Sequence, residues 1–202
     1  MRSAKGHRGS AASVAVRVPP TLPISPYGAT HRAAELYAET YARRFGTALS
    51  IARCANVYGP HQAHDRDQGA VAIFLNRITQ GLPIRVFGEG SATRDYVFLD
   101  DVSYAIARLM TESRGAGIVN IGSGRGLTVI DIMNAISHSV GRRATVEFEP
   151  DRGIDVRAIV LDISKLRSLI PYEPTDFTLG LEATHAAYVA TAAHDAVPHG
   201  AS

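Results

Sequence analysis

The chain has 202 residues, of which 46% are hydrophobic and 20% charged, a balance that supports a packed core and excludes disorder across its body. Its 21 basic and 19 acidic residues are dispersed and leave a net charge of +2, which argues against a nucleic-acid partner. The single Cys54 has no disulfide or metal-spaced companion, no apolar run approaches the roughly 20 residues of a membrane span, and no signal-peptide core follows the basic opening, so a cytoplasmic protein with no membrane contact is expected.

Met1 to Ser13 reads as a flexible, solvated end. From Ala29 to Phe45, the residues Ala33, Tyr37, Tyr41 and Phe45 recur on one helix face, and Gly46 stops the helix. Leu49 to Arg53 reads as a strand, Asn56-Val57-Tyr58-Gly59-Pro60 as a turn, and the stretch through Gln68 as a polar loop. His61 and His64 lie in that loop, and the histidines show no metal spacing, so no metal site is expected. Val71, Phe74, Leu75 and Ile78 mark a second helix closed by Gly81, and Ile84 to Phe87 a strand ending in Gly88-Glu89-Gly90. Tyr96 to Leu99 is the next strand, after which Asp100 or Asp101 caps a helix to about Met110. Gly117 to Ile121 returns as a strand into the loop Gly122-Ser123-Gly124-Arg125-Gly126. Thr128, ahead of Asp131, then opens a helix to Val140. Thr145 to Glu149 alternates as a strand, 162–169 and 178–189 read as helices, and the chain frays from about Ala190. Strands and helices alternate throughout, which argues for an α/β architecture.

Ser25-Pro26-Tyr27-Gly28-Ala29-Thr30-His31 with Ala33-Ala34-Glu35 resembles the catalytic helix of the extended short-chain dehydrogenase/reductase family, whose motif is Tyr-x-x-x-Lys. His31 stands at the lysine. Arg53-Cys54-Ala55-Asn56-Val57-Tyr58-Gly59-Pro60 is similar to the family segment whose asparagine contacts the sugar-phosphate region, a role the resemblance implies for Asn56. Gly88-Glu89-Gly90-Ser91-Ala92-Thr93-Arg94-Asp95-Tyr96-Val97 with Asp100-Asp101-Val102 resembles the signature of the NAD-dependent nucleotide-sugar epimerase/dehydratase branch, and implies that Arg94 binds a diphosphate. Asn120-Ile121-Gly122-Ser123-Gly124 and Arg152-Gly153-Ile154-Asp155 continue the resemblance in order, with Asp162 and Lys165 downstream. It implies Arg152 as a second phosphate ligand and Asp155 as its companion in the substrate site, although Gly-Ile-Asp stands where Pro-Gly-Asp is common. Val86 and Phe87 fall where family members line the base pocket, with plain core as the alternative reading.

The match covers roughly 22–188 and is closest to UDP-glucose 4-epimerase-like proteins, with dTDP-glucose dehydratases as the nearest competitor. It implies a partial Rossmann-like α/β fold: a divergent or flexible 1–21, the catalytic helix and following strand in 22–56, a smaller α/β substrate-binding portion in 57–190, and a tail at 191–202. A UDP-sugar or related nucleotide sugar, NAD, and a homodimer through the region of Tyr37, Tyr41 and Phe45 are the implied partners.

In the family a tyrosine removes a proton from the sugar hydroxyl while NAD accepts hydride from the same carbon. A phenol is a poor base at neutral pH unless a fixed positive charge stabilises the phenolate. A neutral imidazole gives a hydrogen bond but little permanent charge, so Tyr27 beside His31 is expected to act slowly. No Gly-x-x-Gly-x-x-Gly precedes Tyr27, so no pyrophosphate cradle for NAD is expected in this stretch. Ser10 to Val18 faintly resembles the family's serine-bearing strand, with Ser13 as the serine, but lies too near Tyr27. Gly122-x-Gly124 invites a dinucleotide-binding reading with Glu147 or Glu149 at the ribose, against which Leu127 stands where the third glycine belongs. Arg94 has a plain alternative as a surface ion pair with Asp95. Two readings stay open: a 4-epimerase lineage member that works with a separate N-terminal half, and a non-catalytic nucleotide-sugar-binding remnant.

Overall fold

The strand-helix alternation expected from the sequence is present in the computed structural model, which describes residues 15–16, 23, 25–60, 62, 69–151 and 156–195. In order these form β1 (Ala15–Val16), α1 (Pro26–Phe45), β2 (Ser50–Cys54), β3 (Asn56–Tyr58), α2 (Ala70–Gln80), β4 (Ile84–Phe87), β5 (Thr93–Phe98) and α3 (Leu99–Glu112). Then follow β6 (Gly117–Ile121), β7 (Gly126–Thr128), α4 (Val129–Val140), β8 (Val146–Glu149), β9 (Ala158–Leu161), α5 (Ser164–Leu169) and α6 (Phe177–Asp195).

The sheet that positions the rest runs β1-β9-β5-β3, with β7 also on β5. Its ladders are parallel except for β5 with β7. Two further parallel pairs, β2 with β6 and β4 with β8, stand as separate ladders. Successive side chains of a strand point to opposite faces, and along β5 this divides the core in two. Tyr96 and Phe98 pack with Leu75, Ile78, Ile84, Ile132 and Ile136 from α2, β4 and α4, whereas Val97 packs with Leu109, Val119, Ile121 and Leu166. Burying each such aliphatic side chain contributes about 1.5–3 kcal/mol, so β5 is held from both faces.

Local chemistry explains the helix limits. Ser25 accepts a hydrogen bond from the Gly28 amide and Pro26 occupies the first turn, so α1 starts ahead of the periodic stripe at Ala29. The helices α1, α2 and α4 end at the left-handed residues Gly46, Gly81 and Gly141. Thr128 and Asp131 form a reciprocal capping box on α4.

Several expectations are corrected. Asn56–Tyr58 is a strand rather than a turn, because its ladder to Tyr96–Phe98 outweighs the local pull of Gly59-Pro60. Neither Asp100 nor Asp101 caps α3: Phe98 holds the cap position and gives no side-chain bond, while the Asp101 carboxylate accepts from the Thr175 amide and hydroxyl. The strands β7 and β9 were hidden in short segments whose partner, β5, is remote in sequence. The last helix continues past Val189 to Asp195.

Among the described residues no helix is long and apolar enough to cross a membrane. Loss of the capping box by Thr128→Ala is expected to lower stability by about 1 kcal/mol, seen as a lower urea midpoint at unchanged slope. An unchanged midpoint would contradict the account of α4.

Candidate functional site

The site is built outward from β5. Thr93, at its start, lines a cleft of 630 Å³ with Phe87 and the turn Gly88–Ala92 on one side and Asp151, Arg157 and Ala158 on the other. Tyr96, further along, lines a second cleft of 310 Å³ with Asn56, Gln62 and the Gly69–Val71 start of α2. Arg94 lies between these two residues on the strand and shares the Tyr96 face by the two-residue alternation. Burial pushes the Tyr96 phenol up, and the Arg94 charge pulls it partly back, which places the guanidinium within electrostatic reach of that ring. The Arg94 guanidinium has a single hydrogen bond among the described residues, from Nη1 to the Thr93 carbonyl at 2.9 Å.

Asn56 faces Tyr96 across the β3–β5 ladder, and its Nδ2 donates to the Asp95 carbonyl at 3.0 Å. The neighbouring start of α2 has Gly69 at its cap, which gives no side-chain bond, and the positive end of the helix dipole faces this cleft. The carbonyl oxygen of Gln62, in the same cleft, is buried and has no hydrogen-bond partner among the described residues. Neither Gln62 nor the α2 start was marked by the sequence, although a glycine before an apolar run is the signal for such an uncapped helix. Arg157 was missed as well, since no motif flags it. The two residues assigned to a base pocket divide: Phe87 is 44% exposed and lines the larger cleft, whereas Val86 is 3% exposed and packs in the core. Arg152, Asp155, Ser13, His61 and His64 lie outside the described residues.

Tyr27 and His31 meet on one face of α1, with ring centroids 4.4 Å apart, and Tyr27 is 75% exposed. None of the α1 side chains is buried, and Tyr37, Tyr41 and Phe45 are exposed along it. What fixes the helix is charge. Arg53 on β2 donates from Nε and Nη2 to the two oxygens of Glu35, each at 2.7 Å, and Arg32 adds a bond to Glu35 at 2.9 Å and one to Glu39 at 3.2 Å. The Arg53 hydrogen bonds hold the Glu35 carboxyl down at about 2, against the opposing effect of desolvation. A cleft of 370 Å³ between this helix and β9 is lined by His31, Glu35, Arg53, Asn120 and Ala158, so it adjoins the 630 Å³ cleft at Ala158.

The Arg94–Asp95 ion pair does not form. Asp95 is 1% exposed on the opposite face of β5, and its carboxylate accepts from the Ser123 amide and hydroxyl and from the Gly124 and Leu161 amides. This also decides the dinucleotide reading of Gly122-Ser123-Gly124. Its amides are engaged by Asp95, the chain enters β7 before α4, and Glu147 and Glu149 belong to the separate β4–β8 ladder. The loop therefore does not fit the pyrophosphate of NAD.

A sequence profile of the NAD dependent epimerase/dehydratase family matches residues 7–122. The chain belongs to this family. It is 37% identical over 155 residues to the UDP-glucose 4-epimerase of Mycolicibacterium smegmatis, a match covering 77% of this chain and 50% of that protein. The Thermotoga maritima UDP-glucose 4-epimerase, solved with UDP-glucose, superposes with a TM-score of 0.81 at 36% identity over 88% of this chain and 59% of that one. The Thermus thermophilus UDP-glucose 4-epimerase in complex with NAD gives 0.75 at 32% identity over 83% and 55%. The chain thus spans about half the length of the curated epimerase/dehydratase relatives it matches.

Because the folded Glu35 carboxyl lies below its ordinary 4.5, the stabilisation it provides is present above that value and lost as pH falls toward about 2. Glu35→Gln is therefore expected to be less stable than the wild type near about pH 5, with the gap closing toward about pH 2, as read by urea unfolding across that range. A gap independent of pH would contradict the charged latch on α1.

Proposed function

We propose that this chain supplies nucleotide-sugar recognition in a UDP-glucose 4-epimerase-like protein, with Arg94 on the diphosphate, Asn56 at the sugar-phosphate end and Tyr27 as the proton-transfer group. The observation that carries the reading is the position of Arg94 on β5, beside Thr93 of the larger cleft and on the strand face of Tyr96 in the smaller one, with a single guanidinium hydrogen bond among the described residues, to the Thr93 carbonyl. A planar guanidinium with donors to spare suits two phosphate oxygens at once. The start of α2, which lines the Asn56 cleft, favours a negative group there through the helix dipole. The buried carbonyl oxygen of Gln62 there suits a donor such as a sugar hydroxyl. In the larger cleft, Phe87 is the aromatic residue of the lining and suits contact with a base.

Arg152 and Asp155 are proposed as further ligands on the resemblance of their segment alone. On α1, the tilted ring contact of Tyr27 with His31, 4.4 Å between centroids, supports a shared role of the two at the sugar. NAD would be held by residues other than the Gly122–Gly124 loop.

Calorimetric titration with UDP tests the reading. Arg94→Ala is expected to weaken binding by about 1.5–3 kcal/mol, the scale of a charge-assisted phosphate contact. Arg114→Ala, in the turn after α3 and outside the clefts described, should leave binding unchanged. Equal affinity of wild type and Arg94→Ala for UDP would overturn the assignment, and a clear preference for dTDP over UDP would move the reading to the dehydratases.

A further inference from the structure

Asp95 is the one charged side chain in the core among the described residues, at 1% exposure. Burying a carboxylate is costly unless hydrogen bonds replace its water. Here Oδ1 accepts from the Ser123 amide at 2.9 Å and hydroxyl at 2.6 Å, and Oδ2 from the Gly124 amide at 3.1 Å and the Leu161 amide at 3.2 Å. Converging backbone amides form a concavity suited to an anion, and this one is filled from within. Its construction requires Gly122, where an added Cβ would come within 2.5 Å of Oδ2, and Gly124, whose φ is +70°. The Tyr172 hydroxyl closes the far side by donating to the Gly122 carbonyl at 3.0 Å.

The donors come from separate parts of the fold. Ser123 and Gly124 follow β6, which pairs with β2, whereas Leu161 ends β9, which pairs with β5. One carboxylate thus ties the β2–β6 ladder to the sheet that carries the clefts. The residues flanking Asp95 are Arg94 and Tyr96, which point to the opposite face, and the strand it grips through Leu161 is preceded by Arg157 of the 630 Å³ cleft.

We propose that Asp95 is the positioning residue of the diphosphate site: by binding the Ser123, Gly124 and Leu161 amides it fixes the backbone of β5 and β9, and so the direction from which Arg94 meets the phosphates. The ligand rests on the nucleotide-sugar reading above, whereas the fixing of Arg94 does not depend on any ligand. Asp95→Asn keeps the shape but turns an N–H₂ group toward amides that also donate, so the grip on one side is lost.

The test has a ligand-free arm and a nucleotide arm. In NMR spectra of the unliganded chain, the Arg94 Nε–Hε resonance should move or broaden in Asp95→Asn, and the Ser123, Gly124 and Leu161 amides should exchange faster with solvent. Ser123→Ala, which removes a single hydroxyl, should move the Arg94 resonance the same way and by less, and serves if Asp95→Asn does not fold. An Arg94 resonance unmoved in the folded variants overturns the proposal, whether or not UDP binds. In titrations, Asp95→Asn should weaken UDP by at least about tenfold while changing uridine, which lacks the phosphates, by less than about twofold. In the Arg94→Ala background, Asp95→Asn should add little. Equal losses for UDP and uridine, or fully additive losses, would assign Asp95 to general stability and overturn the positioning role. Absence of UDP binding by the wild type would overturn the nucleotide-sugar reading, leaving the NMR arm to decide the fixing of Arg94.

Discussion

The need to satisfy one buried carboxylate shapes the centre of this molecule. Asp95 takes its donors from the loop after β6 and from the end of β9, and those bonds dictate where the chain can run. They explain a glycine at 122, where a side chain would displace the carboxylate, and the Gly-Ser-Gly sequence beside it. The same bonds join two ladders that share no strand, β2 with β6 and the sheet containing β5. With Val97 in one core and Tyr96 and Phe98 in the other, β5 becomes the fixed axis from which Arg94 projects.

The helix carrying Tyr27 and His31 is held on a different principle. None of its residues is fully buried, and its orientation rests on the two-pronged Arg53–Glu35 contact, supported by Arg32. A partly exposed ion pair normally adds little stability, but ideal two-pronged geometry within a network is the case in which it fixes a position. Polar contacts thus hold α1 through Glu35 and β5 through Asp95, while the aliphatic cores give the frame against which they are set. Matching solved epimerases at TM-scores of 0.75 and 0.81 over much of its own length, the chain presents this frame in the family's arrangement.

Much of this was legible in the sequence wherever the cause is local. Gly46 and Gly81 end helices as their place after apolar stripes announces, and Thr128 with Asp131 caps α4. Tyr27 and His31 meet because their spacing puts them on one helix face. What failed were judgements that depend on remote partners. Asn56–Tyr58 reads as a turn until β5 is beside it, and β9 reads as nothing until its ladder to Thr93 and Arg94 is known. Arg94 and Asp95 look like an ion pair because they are adjacent, yet adjacency in a strand sends side chains to opposite faces. The true partners of Asp95 lie 28, 29 and 66 residues away, beyond any local pattern.

The proposed site turns on whether β5 presents Arg94 to a nucleotide diphosphate. A crystal structure of the chain with UDP tests it most directly. The diphosphate is expected within hydrogen-bonding distance of the Arg94 guanidinium, which leaves the Thr93 carbonyl to reach it, with the base toward Phe87 and the far phosphate toward Asn56 and the start of α2. UDP bound elsewhere, with Arg94 still on the Thr93 carbonyl, would contradict it.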